Sequence, residues 1–196
     1  ELDALRRISQ GKDSGYIYTR YANPTTEAAE KKIAALEGGE GCVVTASGMA
    51  AILVTVLATC RAGDEIVSML DIYGGTLKLF EDVLVRFGIR TRFVPHKDLG
   101  KLPRFLSKDT RMLFLETPTN PTLRCVDITK LAGMGKKRRA CVVVDNTFAT
   151  PILQKPLALG ADVVVHSATK YLGGHSDVTA GAIVGGAAFI KEARQM

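Results

Sequence analysis

Seven short apolar runs punctuate the chain, at residues 42–46, 65–69, 91–94, 111–115, 140–144, 162–165 and 180–184. Most are unbroken stretches rich in β-branched residues, such as Val142-Val143-Val144 and Val163-Val164-Val165. Runs without polar alternation predict strands covered on both faces. Helical patterns lie between them. Asn23-Pro24-Thr25 reads as an N-cap with proline at the first helical position. Ala29, Ile33 and Leu36 then form one apolar face, and Gly38-Gly39 ends the helix. Further helices are predicted over 48–60, 75–87, 127–134 and 187–194, with Arg61-Ala62-Gly63-Asp64 as a turn into the next strand. Strands spaced by helices require crossover connections, so the pattern predicts an α/β fold around a mostly parallel sheet. Residues 1–15 show little periodicity, carry Gln10-Gly11-Lys12-Asp13-Ser14-Gly15, and read as an arm.

Composition narrows the picture without changing it. The 196 residues are 46% hydrophobic and 23% charged, an ordinary globular balance with length for one domain and its core. No apolar run approaches the ~20 residues of a membrane span, and the first residues lack the apolar stretch of a secretory signal, so a cytoplasmic protein is expected. The net charge of +6 owes much to Lys136-Lys137-Arg138-Arg139. No interleaved aromatics accompany that run, so a solvated helix end is expected there rather than a nucleic-acid surface. Cys42, Cys60, Cys125 and Cys141 have no C-x-x-C spacing and read as thiols, mostly buried, rather than metal ligands or disulfides.

Candidate chemistry concentrates after the sixth apolar run, in Ser167-Ala168-Thr169-Lys170-Tyr171-Leu172-Gly173-Gly174-His175-Ser176-Asp177. A lysine beside two hydroxyls at the end of a buried strand suits a Schiff base with a phosphorylated aldehyde, its pKa lowered by a low-dielectric site. Asp145 closes the fifth run, where open α/β sheets bind ligands, and a carboxylate there would partner a pyridine nitrogen. The pair predicts a pyridoxal phosphate (PLP) site with Lys170 and Asp145 at its two ends. Asp145 as a helix N-cap is the competing reading. Ser47-Gly48-Met49 joins a strand to a helix and offers free N–H groups to an anion, though a plain turn has the same sequence. Tyr73 is placed to stack on a cofactor ring and Asn120 to contact a ring hydroxyl; a half-buried tyrosine and a rigid proline turn are the structural alternatives. Tyr18 and Arg20 fall on one face of an extended arm. His166 and His175 flank the lysine without an evident partner and read as structural.

Six motifs occur in order: residues 16–25 (YIYTRYANPT), 46–51 (ASGMAA), 71–76 (DIYGGT), 116–121 (ETPTNP), 143–148 (VVDNTF) and 167–177 (SATKYLGGHSD). Together they resemble the PLP enzymes of Cys/Met metabolism, the trans-sulfuration family of cystathionine γ-synthase, cystathionine γ- and β-lyases, methionine γ-lyase and homoserine-ester sulfhydrylases. The resemblance implies a fold type I, aspartate-aminotransferase-like large domain with a seven-stranded mostly parallel sheet. It assigns Lys170 to the cofactor aldehyde and Asp145 to the pyridine nitrogen. Gly48, Met49, Ser167 and Thr169 fall to the phosphate, Tyr73 to ring stacking and acid–base assistance, and Asn120 to the ring hydroxyl. It sends Tyr18 and Arg20, on an arm of residues 1–20, to the phosphate of a neighbouring subunit. A homo-oligomer, a dimer of dimers, follows from that assignment.

The implied reaction is γ-elimination or γ-replacement on cystathionine, methionine or a homoserine ester with a thiol co-substrate, with cystathionine γ-synthase or γ-lyase activity the first expectation. Methionine γ-lyases often carry cysteine where Gly75 stands, which weighs against that subtype. The chain corresponds to the middle half of a family member, residues 21–196 forming the PLP-binding domain, and the small C-terminal domain has no counterpart in it. A truncated PLP-binding chain without a complete substrate site is the non-enzymatic alternative; an aminotransferase or a nucleic-acid-binding module would lack support from these motifs.

Overall fold

The computed structural model describes residues 2–10, 12–13, 15–19 and 21–196. Its helices are α1 (Leu2–Ser9), α2 (Pro24–Glu37), α3 (Gly48–Thr59), α4 (Gly74–Lys78), α5 (Ile128–Lys136), α6 (Thr150–Leu153) and α7 (Ala187–Ala193). Its strands are β1 (Gly41–Thr45), β2 (Glu65–Met69), β3 (Arg90–Val94), β4 (Thr110–Glu116), β5 (Cys141–Asp145), β6 (Val163–His166) and β7 (Gly181–Gly185). Each strand falls within one or two residues of an apolar run. They form one sheet in the order β1-β7-β6-β5-β4-β2-β3. Its parallel part runs from β6 through β5, β4 and β2 to β3, and β7 is antiparallel to both β6 and β1.

Burial follows position in the sheet. Val142, Val143, Val144, Val164, Val165, Leu113, Leu115, Ile183 and Val184 are fully enclosed in central strands. The expectation of cover on both faces fails at the edges, where β3 alternates in exposure and β1 is only partly buried. An edge strand packs one neighbour, and β3 carries Arg90 and Arg92 outward. Phe80 meets Phe114 edge to face at 5.2 Å, joining the 79–83 segment to the sheet.

The local punctuation acts as its chemistry dictates. Asn23 Oδ1 accepts the N–H groups of Thr25 and Thr26, Pro24 opens α2, and Gly38 ends it at φ 76°. Asp127 caps α5 through the N–H of Lys130. The Lys136–Arg139 run lies exposed at the end of α5, where Lys136 pairs with Asp162 at 3.3 Å. The four thiols are free, and burial foremost pushes those of Cys42, Cys60 and Cys141 up to about 12, beyond thiolate formation at neutral pH.

Besides the short helix α6, three elements depart from the sequence pattern. The single helix predicted over 75–87 is α4 followed by a π turn (Leu79–Val83) and a 3-10 turn (Leu84–Phe87) ended by Gly88. The inserted residue keeps Leu79, Phe80 and Leu84 all beneath the sheet. A 3-10 segment at 96–104, unpredicted, buries Leu99 and Leu102 at a spacing of three. The arm begins as a helix, α1, with no buried residue. It is tied back by the ion pair Arg7 Nε–Asp13 Oδ2 at 2.7 Å. Leu2, Leu5 and Ile8 recur at every third position in it, a helical spacing too short to stand out beside the turn-forming residues of 10–15.

Gly181 sits where β7 passes the turn leaving β1. A Cβ there would lie 2.1 Å from the Ser47 carbonyl oxygen and 2.5 Å from Thr45 Oγ1. Backbone cannot yield as a flexible side chain does. Gly181→Ala should therefore destabilise the fold by about 1–3 kcal/mol, read as a lowered urea midpoint with an unchanged m-value.

Candidate active site

Strand ends assemble the site. In parallel register Glu116 of β4 pairs with Asp145 of β5, and Asp145 pairs with Val165 of β6. Registered residues share a face, while their successors face the other way. One cavity of about 330 Å³ accordingly opens on Glu116, Asp145 and Ser167. Behind the sheet their neighbours Thr117, Asn146 and His166 join a polar cluster. There Glu37 Oε1 accepts from Asn146 Nδ2 at 2.8 Å and lies 2.6 Å from His166 Nε2. Gln154 Nε2 donates to Asn146 Oδ1 and to the Thr117 carbonyl.

Asp145 is held from one side. Thr147 donates to its Oδ1 twice, from N at 3.0 Å and from Oγ1 at 2.6 Å, while Thr147 Oγ1 accepts the Ser167 N–H at 2.8 Å. Among the described residues Oδ2 has no donor, so it is open to an external N–H or cation. Burial raises the Asp145 carboxyl above its ordinary range; the Thr147 hydrogen bonds and the charge of His166 lower it without cancelling that effect. Residue 145 is therefore the end of a strand and not the N-cap of a helix, since α6 starts at Thr150.

Lys170 stands in the turn after β6, its N–H donating to the Ser167 carbonyl at 3.0 Å. Its side chain lines the cavity and is exposed, contrary to the enclosed setting expected for a depressed amine. The cause is the turn's place on the rim, where a second hollow lined by Lys170, Tyr171 and Val178 adjoins the first. Thr169 also lines the cavity, but its hydroxyl is engaged with Ala180, donating to the carbonyl at 3.1 Å and accepting the N–H at 3.0 Å.

The first turn of α3 forms the opposite wall. Ser47 Oγ accepts the Ala50 N–H at 3.1 Å and the Ser47 carbonyl accepts that of Ala51. Among the described residues, the N–H groups of Gly48 and Met49 keep no acceptor, as first-turn donors do. A Cβ at Gly48 would lie 2.8 Å from Ser167 Cα. Only glycine lets this helix end come so close to the Lys170 turn.

Glu116 was not singled out by its motif. It lies between the loop after β2 and the loop after β4, accepting the Tyr73 N–H at 2.7 Å and the Asn120 N–H at 2.9 Å. Tyr73, about half exposed, and Asn120 both line the cavity. Burial first, then the neighbouring Asp145, pushes Glu116 up to about 7 against the pull of those two N–H bonds. The signal available in the sequence was an acid at the end of an apolar run, the same one that marks Asp145. The role of Thr147 carries no such signal, because a threonine two residues past an acid is common.

Eight of the ten residues singled out for the site thus line this cavity: Gly48, Met49, Tyr73, Asn120, Asp145, Ser167, Thr169 and Lys170. Tyr18 does not. It is exposed, and its carbonyl opens a turn by accepting the N–H groups of Tyr21 and Ala22. Arg20 lies outside the described residues. His175 is exposed, whereas His166 has the buried partner that its sequence context did not reveal, Glu37, 129 residues away.

A carboxyl raised in the folded state binds its proton more tightly there than when unfolded. Its contribution to stability is complete below the unfolded value of 4.5 and is lost as pH rises through about 7. The unloaded protein should lose on the order of 2–3 kcal/mol from this source between pH 4.5 and 8. Glu116→Gln should flatten that slope in urea titrations; an unchanged slope would contradict the assignment.

The geometry has known counterparts. A family model described as Cys/Met metabolism PLP-dependent enzyme matches residues 2–196. An L-methionine gamma-lyase of Fusobacterium nucleatum subsp. polymorphum is 49% identical over 174 residues, covering 88% of this chain and 44% of that protein. An O-succinylhomoserine sulfhydrylase of Pseudomonas aeruginosa is 43% identical over 190 residues, covering 97% of this chain and 47% of that protein. The crystal structure of metB from Corynebacterium glutamicum superposes with a TM-score of 0.90 at 41% identity, over 93% of this chain and 48% of that one. The chain spans about half the length of the relatives it matches. With its ordered motifs, its mixed seven-stranded sheet and its strand-end cavity, the chain belongs to the Cys/Met metabolism PLP-dependent enzymes.

Proposed function

We propose that the protein uses PLP to eliminate or replace a substituent at the γ carbon of a sulfur amino acid or homoserine ester, as in trans-sulfuration. The observation that carries this reading is convergence. An amine (Lys170), an acid with an unspent oxygen (Asp145) and a helix end with free N–H groups (Gly48, Met49) open on one cavity. These fit the aldehyde, the ring nitrogen and the phosphate of PLP, and the close approach that Gly48 permits sets the free N–H groups of the helix end beside the Ser167 hydroxyl, two kinds of donor for one phosphate.

PLP supplies an aldehyde that condenses with amines and a ring that takes up electrons released at the substrate α carbon. The chain's own residues do the rest. Lys170 holds the cofactor between turnovers and, once freed, moves protons at Cα and Cβ. The Asp145 carboxylate, oriented by Thr147, keeps a proton on the ring nitrogen. Tyr73 covers the ring and serves as acid or base at the leaving group. Asn120 orients the ring hydroxyl, and Ser167 adds a hydroxyl at the phosphate. Thr169 joins it there if its hydroxyl exchanges the Ala180 carbonyl for the phosphate.

Residues 1–20 act as an arm that carries Tyr18 and Arg20 to a neighbouring subunit, residues 21–196 form the cofactor-binding domain, and the site is completed in a homo-oligomer, a dimer of dimers. That arrangement accounts for Tyr18 lying away from its own cavity. Substrates are cystathionine, methionine or a homoserine ester with a thiol, in the cytoplasm, with cystathionine γ-synthase or γ-lyase chemistry preferred. Among the described residues no helix is long and apolar enough to cross a membrane. The exposure of Lys170 favours one alternative, a chain that holds PLP but lacks a complete substrate site.

Lys170→Ala should abolish turnover and the visible absorption of lysine-bound cofactor, and borohydride reduction of wild type should leave a pyridoxyl group on the Lys170 peptide. An adduct-bearing protein inert toward cystathionine, methionine and O-acyl-homoserine with cysteine or sulfide would favour the non-enzymatic alternative. Among active outcomes, oxoacid marks elimination and thioether marks replacement.

A further inference from the structure

Glu116 is a carboxyl in the cavity that the mechanism above leaves without a task. It stands in register with Asp145, so two acidic side chains share one face at adjacent strand ends. Both Glu116 oxygens are spent on main-chain N–H groups from different loops, Oε2 on Tyr73 at 2.7 Å and Oε1 on Asn120 at 2.9 Å. The same two loops meet again where Arg124 Nη1 donates to Asp71 Oδ2 at 3.1 Å. Tyr73 and Asn120 line the cavity, so this clamp fixes two of its walls.

The clamp and its surroundings make opposite demands. Two N–H donors favour an ionised acceptor, and a protonated carboxyl accepts less well. Burial and the charge of Asp145 favour the protonated form. The other ionisable groups around the cavity are the Tyr73 phenol, from the loop after β2, and Lys170, from the turn after β6. Asp71 and Arg124 neutralise each other in the flanking loops, and His166 acts on Asp145 by its charge.

We propose that Glu116 is a positioning residue that couples occupation of the cavity beside Asp145 by a cationic pyridine ring to closure of the loops bearing Tyr73 and Asn120. The inference rests on the assignment of Asp145 to the cofactor's ring nitrogen. A ring N–H⁺ there offsets the Asp145 charge, Glu116 gives up its proton to solvent, and both amides are held by a full carboxylate. Without that cation the acidic pair keeps a proton for part of the time, and while Glu116 is protonated it accepts the two amides less strongly, so the clamp formed in this structure opens more often.

Pyridoxamine 5′-phosphate is the probe, because it carries the ring and phosphate but no aldehyde for Lys170. Its binding at pH 7 is followed by calorimetry in buffers of different ionisation enthalpy. Wild type should release more protons than Glu116→Gln, by at most about half a proton, since a carboxyl titrating near about 7 is half protonated at that pH and the ring offsets the Asp145 charge but not the burial. Hydrogen exchange gives a second readout. The amides of Tyr73 and Asn120 should gain roughly tenfold protection on loading in wild type, and none in Glu116→Gln. Asp145→Asn, examined without any ligand, should already show the protection of loaded wild type, because the opposing charge is gone. Normal probe binding with equal proton release in both proteins, or no added protection in Asp145→Asn, overturns the coupling alone. Failure to bind the probe, with no pyridoxyl adduct at Lys170 after reduction with PLP, overturns the cofactor assignment and the coupling with it.

Discussion

Everything at the candidate site depends on the parallel register that stops β4, β5 and β6 at a common level. Because paired residues share a face and successors alternate, that register sends Glu116, Asp145 and Ser167 to the cavity and Thr117, Asn146 and His166 to the opposite side. A slip of one residue in β5 would exchange Asp145 with Asn146 and empty the site of its acid. The fully buried valines of β5 and β6 make such a slip costly, since each would leave its packed position. The cluster of Glu37, Asn146, His166 and Gln154 holds the same register from behind, through hydrogen bonds with strict geometry.

Electrostatic tension is the second theme. Asp145 and Glu116 are both raised by burial, and neither has a cationic side chain as a hydrogen-bond partner among the described residues. Their hydrogen bonds come from hydroxyl and main-chain donors instead: Thr147 for Asp145, and Tyr73 and Asn120 for Glu116. By contrast, acids with purely architectural tasks are matched within the chain. Glu65 meets Arg92 at 3.1 Å and Glu30 meets Arg194 at 2.7 Å. A site that leaves negative charge unmatched is prepared for a positive group from outside. The free N–H groups of Gly48 and Met49 prepare the other end of the cavity for an anion.

Much of this was legible in the chain. Seven apolar runs became seven strands because continuous β-branched stretches have few other uses in a protein of this composition. Lys170, Asp145 and Gly48 were legible because each follows such a run, where ligands meet α/β sheets. The break in the 75–87 helix was not legible, since a π insertion answers to the sheet that Phe80 packs against and not to local propensity. Glu116 lay inside a recognised motif, yet its task could not be read from it. That task is defined by Tyr73, 43 residues earlier, and by Asp145 on the adjoining strand.

The order of elements, the class of fold and the residues that the strand-end cavity gathers were largely determined by the sequence alone, because they follow from local periodicity and from motifs whose spacing is read along the chain. Tertiary structure alone decided that Glu116 joins Asp145 on the cavity, that His166 pairs with Glu37, that the Thr169 hydroxyl is already engaged and that Lys170 lies open at the rim. Those outcomes depend on strand register and on contacts between residues dozens to more than a hundred positions apart, and distance across a fold is not written in adjacency along a chain.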